Sequence, residues 1–136
     1  MQNKDHYVLE VPTSKSIELV DVTDAVSGVV KKSGIKEGIC FLFVPHTTAG
    51  ITINENADPD VVSDIISGLS KAVPDSSSYR HREGNSPAHI KSSLIGVSKS
   101  VFIGDGELVL GTWQGIYFAE FDGPRARKLW IKIIGT

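Results

Sequence analysis

The sequence is poor in cysteine, in long apolar runs and in any excess of one charge, and each shortage excludes a class of protein. The single cysteine, Cys40, allows no internal disulfide. No apolar run approaches the roughly 18 residues of a membrane span, so we expect no membrane partner. Net charge is −2 with scattered Lys and Arg, which argues against nucleic acid as a partner.

The start of the chain, MQNKDHYVLEV, has no basic segment followed by an apolar one. Secretion is therefore not expected, and a cytoplasmic location fits the lack of disulfides best. The length of 136 residues suits one domain, which we place at 1–136. A small molecule or another copy of the chain is the expected partner.

Hydrophobic periodicity divides the first half of the chain into strands and one helix. Alternation predicts strands at 7–11 and 16–20, and a continuously apolar run predicts a strand at 39–44 that is buried on both faces. Valines on one helical face predict a helix within 21–34. Extended structure resumes at 50–54.

Capping residues mark the ends of the helices. Asp21 or Thr23 is expected to cap the first, and Gly34 to end it. Asp58, followed by proline, predicts the start of a second helix. Ser86 as cap and Pro87 at the first position predict a third helix, which places His89 at its third position.

The final third of the sequence is rich in strand formers. It predicts a hairpin within 100–111 that turns at 104–106, and another within 114–134 that turns at 122–124. Helices mixed with such hairpins indicate an α+β fold with a largely antiparallel sheet and about three helices.

Polar side chains with chemical potential gather in the stretch HREGNSPAH at 81–89. It carries His81, Glu83, Asn85 and His89 within nine residues, and neutral imidazoles bind metals or act as bases. A polar, solvated loop is the alternative interpretation. His46 strengthens the functional one, because a strand end holds a side chain rigidly and the residues that follow it are small.

A second polar group lies in LGTWQGIYFAEFDGPR and contains Trp113, Gln114, Glu120 and Arg125. Arginines beside a turn can grip a phosphate through the planar guanidinium. The alternatives are a solvated strand carboxylate for Glu120 and ordinary surface arginines for Arg125 and Arg127.

No zinc-binding spacing occurs, since the sequence has no HxH, HExxH or cysteine pair. His46, His81 and His89 lie on three separate predicted elements. If the fold brings them together, they can hold a divalent metal, zinc or magnesium, and leave a position open for substrate.

Three motifs in order, HTTAGITINENADPDVVSDI, YRHREGNSPAHIKSSLIG and GELVLGTWQGIYFAEFDGPRARK, resemble the YjbQ family. The similarity runs over 7–135. Members of this family are often labelled secondary thiamine-phosphate synthases. The resemblance implies a homotrimeric α+β protein with a shared pocket around the three histidines, supported by Glu83, Asn85 and Glu120. The family often carries acidic or amide residues where this chain has Ser86 and Pro87.

The first functional hypothesis is a metal-assisted transferase with weak thiamine-phosphate synthase activity. Its catalytic residues are His46, His81, His89, Glu83 and Glu120, and a bound phosphorylated molecule or cofactor contacts Asn85, Trp113, Gln114 and Arg125. A metal-dependent hydrolase with His81 or Glu83 as base uses the same residues. A non-catalytic protein that binds a small anion or a metal is the third hypothesis. The chain is too short for a TIM barrel and lacks a glycine-rich phosphate loop.

Overall fold

The computed structural model describes residues 6–136, and all structural statements below concern that range. These residues form eight strands and three helices. The strands are β1 (Tyr7–Pro12), β2 (Glu18–Asp21), β3 (Gly38–Phe43), β4 (Ala49–Glu55), β5 (Ser98–Gly104), β6 (Glu107–Leu108), β7 (Gln114–Glu120) and β8 (Ala126–Gly135). The helices are α1 (Thr23–Ser33), α2 (Pro59–Ala72) and α3 (Ser86–Ile95).

The strands form two antiparallel sheets. The larger has the order β1-β8-β3-β5-β6, and the smaller has the order β2-β7-β4. Every recorded strand pair is antiparallel. The predicted α+β class, with a largely antiparallel sheet and three helices, is confirmed. None of the helices within 6–136 has the length and apolar character needed to span a membrane.

The main core lies between the two sheets and α1. Val26 of α1, Leu42 of β3, Phe118 of β7 and Leu129 of β8 are all essentially inaccessible to solvent. Burial of such side chains is the main driving force for folding. Cys40 is part of the same core, and burial raises the pKa of its thiol to about 12, so the thiol stays protonated at neutral pH.

Local capping signals set the ends of the first two helices. The expectation that Asp21 or Thr23 caps α1 is wrong, because the N-cap residue is Val22, whose side chain makes no cap bond. The Asp21 carboxylate, one residue earlier, accepts a hydrogen bond from the Thr23 N–H at 3.0 Å. Gly34 ends α1 in the left-handed conformation with φ 71°, which glycine adopts without strain. The Asp58 side chain accepts from the Asp60 N–H at 2.9 Å and caps α2, as predicted.

The third helix begins one residue earlier than predicted. Asn85, rather than Ser86, is the N-cap residue, because the Asn85 carbonyl accepts hydrogen bonds from the N–H groups of Ala88 (3.0 Å) and His89 (3.4 Å). Pro87 is then the second helical position and His89 the fourth. The Asn85 side chain makes no cap bond and is turned away toward Asp122.

The prediction that β3 is buried on both faces is wrong for a single chain. Cys40 and Leu42 face the core, whereas Phe41 and Phe43 are 43% and 44% exposed on the opposite face. The outer face of the larger sheet has no helix against it, so the apolar run of β3 reaches solvent on that side.

Of the two predicted hairpins, one is confirmed and the other is wrong. Strands β5 and β6 pair across a two-residue turn, Asp105-Gly106, in which both residues have positive φ. Strands β7 and β8 do not pair. Both edges of β7 are occupied by β2 and β4, so the chain crosses at 121–125 to the other sheet, where β8 pairs with β1 and β3.

Candidate functional site

Two of the predicted histidines line one cavity of about 440 Å³. His46 lies on the connection between β3 and β4, where the chain passes from one sheet to the other, and His89 lies in the first half of α3. The rest of the wall is small or polar and consists of Thr47, Ser92, Ser93, Gly96 and Val97. A cavity of this size with a few polar groups suits a small-molecule ligand.

A backbone hydrogen bond fixes the ring of His46. The N–H of Lys128, at the start of β8, donates to His46 Nε2 at 3.0 Å. The ring also meets Phe118 edge-on, with the ring centres 6.4 Å apart. Because Nε2 accepts, the neutral ring is assigned its proton on Nδ1, and Nδ1 is the atom left to donate to a ligand.

The environment of His46 favours the neutral ring. Burial lowers the pKa of His46 from its ordinary value, and the positive charge of Arg127 lowers it further, while the negative charge of Glu120 partly opposes both effects. His46 therefore remains an uncharged hydrogen-bonding group at neutral pH.

This pKa shift predicts a pH-dependent stability. The folded chain binds the His46 proton less readily than the unfolded chain, so acidification from about pH 7 to about pH 5 favours unfolding. We expect His46→Gln to lose less stability than the wild type over that range, as measured by denaturant titration at each pH. If the free energy of unfolding falls by the same amount in both proteins between pH 7 and pH 5, the lowered pKa of His46 is contradicted.

Close packing against β4 holds His89 in place. In α3, Ser92 Oγ donates to the Ala49 carbonyl at 2.6 Å, and the Ile51 N–H donates to the Gly96 carbonyl at 3.0 Å. A Cβ atom at Gly50 would lie 2.7 Å from the Gly96 oxygen. Glycine at position 50, within the HTTAG motif, is therefore what allows the end of α3 to approach the strand.

His81 lies beside His89 but not on the cavity wall. The two ring centres are 5.4 Å apart and the ring planes are nearly perpendicular, at 88°. Glu83 Oε1 lies 3.8 Å from His81 Nε2, and both side chains are largely exposed. The loop thus extends the histidine cluster outward from the cavity toward solvent.

The three histidines do not form a complete metal site within one chain. Among residues 6–136, no group of three or more His, Cys, Asp or Glu side chains is placed to hold a metal ion. In addition, the lone pair of His46 Nε2 already accepts the Lys128 N–H. The donors of one chain therefore do not complete a metal site by themselves.

Glu120 is fully buried, so its interpretation as a solvated strand carboxylate is wrong. It forms an ion pair with Arg127, which is 3% exposed, and it accepts hydrogen bonds from the Thr13 hydroxyl (2.7 Å) and the Asp122 N–H (3.1 Å). Burial alone would raise the pKa of Glu120, but these hydrogen bonds outweigh it and lower the pKa. All its bonds are to neighbouring protein groups, and it is not part of the cavity wall.

Arg127, expected like Arg125 to be a phosphate ligand or a surface arginine beside a turn, is instead buried. It donates to Thr48 Oγ1 at 2.8 Å as well as to Glu120, and so ties the β3–β4 connection to β8 beside His46. Its position was readable from strand alternation, since Leu129 and Ile131 of the same strand also face the core.

The remaining predicted residues do not line the histidine cavity. Arg125 donates to Asp122 Oδ2 at 2.8 Å, and Asn85 donates to the same oxygen at 2.9 Å. Trp113 and Gln114 lie at the opposite end of β7 from Glu120, which is about 20 Å along a strand of this length. A single chain therefore brings His46, His89 and His81 together but not these four residues.

Comparisons with known proteins agree with the fold and with the motifs. Residues 7–136 match the family model described as UPF0047 protein YjbQ-like. A UPF0047 protein of Methanocaldococcus jannaschii is 56% identical over 93% of this chain and 91% of its own length. The UPF0047 protein YugU of Bacillus subtilis is 49% identical over 93% and 97%.

Solved structures lead to the same conclusion. The crystal structure of an uncharacterised conserved protein of the YjbQ/UPF0047 family from Clostridium acetobutylicum is 54% identical, has a TM-score of 0.92, and matches over 94% of this chain and 99% of its own. A YbjQ-like protein of unknown function from Sulfolobus solfataricus is 38% identical with a TM-score of 0.91, over 96% of both chains. The chain belongs to the YjbQ-like UPF0047 family.

Proposed function

We propose that the cavity between His46 and His89 is the active site of a transferase that acts on a small phosphorylated molecule, with weak thiamine-phosphate synthase activity. The observation that carries this proposal is that two imidazoles from separate elements line one cavity, and that one of them is held neutral by its surroundings. An uncharged imidazole in a partly closed cavity can donate a hydrogen bond or accept a proton at neutral pH.

Thiamine-phosphate synthesis joins a hydroxymethylpyrimidine diphosphate to a thiazole phosphate and releases diphosphate. The bond that breaks leaves negative charge on the diphosphate oxygen, so groups that donate hydrogen bonds to that oxygen favour the reaction. His46 offers its Nδ1–H to that oxygen. The hydroxyls of Ser92 and Ser93 on the same wall already donate to the carbonyls of Ala49 and His89. His89 is the second imidazole in reach of the cavity.

A divalent metal, zinc or magnesium, belongs to this proposal although one chain does not complete its site. When bound, such an ion would neutralise the diphosphate. His81 and His89 would supply the ligands of one chain, with further donors from a neighbouring copy, and His46 joins them only if it gives up the hydrogen bond from Lys128.

Titration of chelator-stripped protein with zinc, and separately with magnesium, tests this function. We expect thiamine-phosphate formation to rise with metal and to saturate near one ion per site, and His81→Ala to weaken metal binding. The sharpest control is protein from cells that lack their dedicated synthase. Turnover that does not change when metal is added would show that the reaction does not need the ion. No turnover under any condition would contradict the proposal that the protein is an enzyme.

We propose a homotrimer because the larger sheet leaves an apolar outer face. Phe41, Phe43, Phe102 and Ile134 are 43%, 44%, 70% and 45% exposed, and they lie on the same side of β3, β5 and β8. Exposed apolar patches of this kind mark protein interfaces, and a second and third copy of the chain are the partners that we propose. The buried thiol of Cys40 and the lack of disulfides suit the cytoplasm as the compartment.

Phe102→Glu is expected to dissociate the trimer, since it introduces a charge into the centre of a surface that association would bury. Sedimentation velocity at several protein concentrations measures the mass. Ser67→Glu, on the exposed side of α2, is the matched control and should leave the mass unchanged. A wild-type protein that sediments as a monomer at all concentrations would contradict the trimer.

A non-catalytic protein that binds a small anion or a metal is the second candidate. This candidate is favoured because neither carboxylate near the cavity is free to act as a base there. Both oxygens of Glu120 accept hydrogen bonds from neighbouring groups, and Glu83 is largely exposed. The second candidate predicts that His46→Ala weakens ligand affinity while no substrate is turned over. The assays above separate the two candidates.

A further inference from the structure

Lys91 is a buried lysine that the proposed reaction does not use. It lies on α3 and is 5% exposed, as is Ala88 on the same helix. Lysine is almost never buried to this extent unless its charge is paired. Two residues along a helix are about 200° apart, so Lys91 faces away from the side of α3 that presents His89 to the histidine cavity.

No group of the described chain pairs with the Lys91 amino group. The ion pairs within 6–136 are those of His81, Arg125 and Arg127, and no hydrogen bond from Lys91 Nζ is present in this range. Burial also lowers the pKa of Lys91, since it disfavours the charged form of the amino group. An ammonium group in this position gains from any anion that reaches it.

The Lys91 side chain opens into a second cavity of about 440 Å³. The two carboxylates in its wall are otherwise engaged: Asp122 Oδ2 is bound by Arg125 and Asn85, and Asp75 is exposed and accepts from the Ser76 N–H. Asn85 also contributes to this wall through other atoms, because its Oδ1 is enclosed by the protein. The cavity thus contains an unpaired cation and no free carboxylate beside it.

We propose that this cavity binds a small anion, a phosphate or a carboxylate, with the Lys91 amino group as its counter-cation. The anion supplies the charge and the acceptor that the amino group lacks. The hydroxyls of Ser16 and Ser70 line the cavity and give the anion further donors. The site is separate from the histidine cavity and does not depend on the proposed reaction.

Isothermal titration of the full-length protein in a low-salt, phosphate-free buffer tests the proposal. Inorganic phosphate is titrated in one experiment and acetate in the other. The anion that binds shows whether the cavity takes a phosphate or a carboxylate. We expect saturable binding that Lys91→Met weakens about tenfold or more, the usual effect of losing a charged hydrogen bond. Lys91→Arg should retain binding. Lys32→Met removes an exposed lysine and is the matched control.

Two results would overturn the proposal: neither anion binds the wild type, or Lys91→Met binds like the wild type. If Lys91→Met does not fold, Ser70→Phe decides, because it fills the cavity without changing the charge. Binding that His89→Ala abolishes and Lys91→Met leaves intact would place the anion in the histidine cavity. That outcome overturns this proposal and leaves the transferase proposal standing.

Discussion

Arg127→Met is expected to lower the free energy of unfolding by about 3–5 kcal/mol, the range found when one partner of a buried ion pair is removed. The substitution leaves the fully buried Glu120 carboxylate without its cation and deprives Thr48 Oγ1 of a donor. Guanidinium denaturation at one fixed protein concentration measures the change, because association also contributes to stability.

The double variant Glu120→Leu/Arg127→Met is the control for this effect. If the loss comes from an unpaired buried charge, removing both charges should restore more than half of it. If Arg127→Met lowers the free energy of unfolding by less than about 1 kcal/mol, water reaches Glu120 and the ion pair is not shielded from solvent.

His89→Ala is expected to reduce kcat/KM for thiamine-phosphate formation by about 100-fold or more, the usual contribution of a positioned acid or base. His46→Ala should have an effect of the same order. The matched control is Leu94→Ala on the exposed side of the same helix, which should keep wild-type activity. Loss of activity in Leu94→Ala equal to that in His89→Ala would assign the effect to the helix and not to the imidazole.

Because the two histidines line one cavity, their effects should not add. The double variant His46→Ala/His89→Ala is expected to have about the same activity as the less active of the two single variants. Fully multiplicative losses would indicate that the two side chains act on different steps or at different places.

The local parts of the fold were predictable because each is encoded within a few residues. Asp58 caps α2 through its own side chain, and the positive φ of Asp105 and Gly106 suits the hairpin that they form. The start of α3 was off by one residue because both Asn85 and Ser86 are good cap residues, and the choice depended on the bond from Asn85 to Asp122.

Pairing between distant strands was not predictable in the same way. Residues 122–124 have the chemistry of a turn, and a turn between two strand-like runs reads as a hairpin. Whether β7 and β8 pair depends on which strands already occupy the edges of β7, and those strands lie about 65 to 100 residues earlier in the chain. Turn residues carry no information about that competition.

The error on β3 has a physical reason. The run ICFLFV was expected to be buried on both faces, yet Phe41 and Phe43 are exposed in one chain. A sequence records every surface that the protein buries, including surfaces buried only by other copies of the chain. The difference between the expected and observed burial is therefore an argument for the proposed trimer.

At the site, the sequence motifs predicted the histidines, but the buried ion pair of Glu120 and Arg127 was not predicted. His46 and His89 lie in short polar segments that invite a functional interpretation. Glu120 and Arg127 are seven residues apart on strands of different sheets, and an arginine beside a turn is usually exposed. The inward positions of Leu129 and Ile131 were the available signal for Arg127.

The claim on which the proposed function depends is that His46 and His89 contact the same bound molecule. Long-range ¹H–¹⁵N spectra of the imidazole rings, recorded while inorganic diphosphate is added, test it most directly. We predict that the signals of both rings shift together and follow one dissociation constant. Shifts confined to one of the two rings, or saturation at clearly different concentrations, would contradict a shared site.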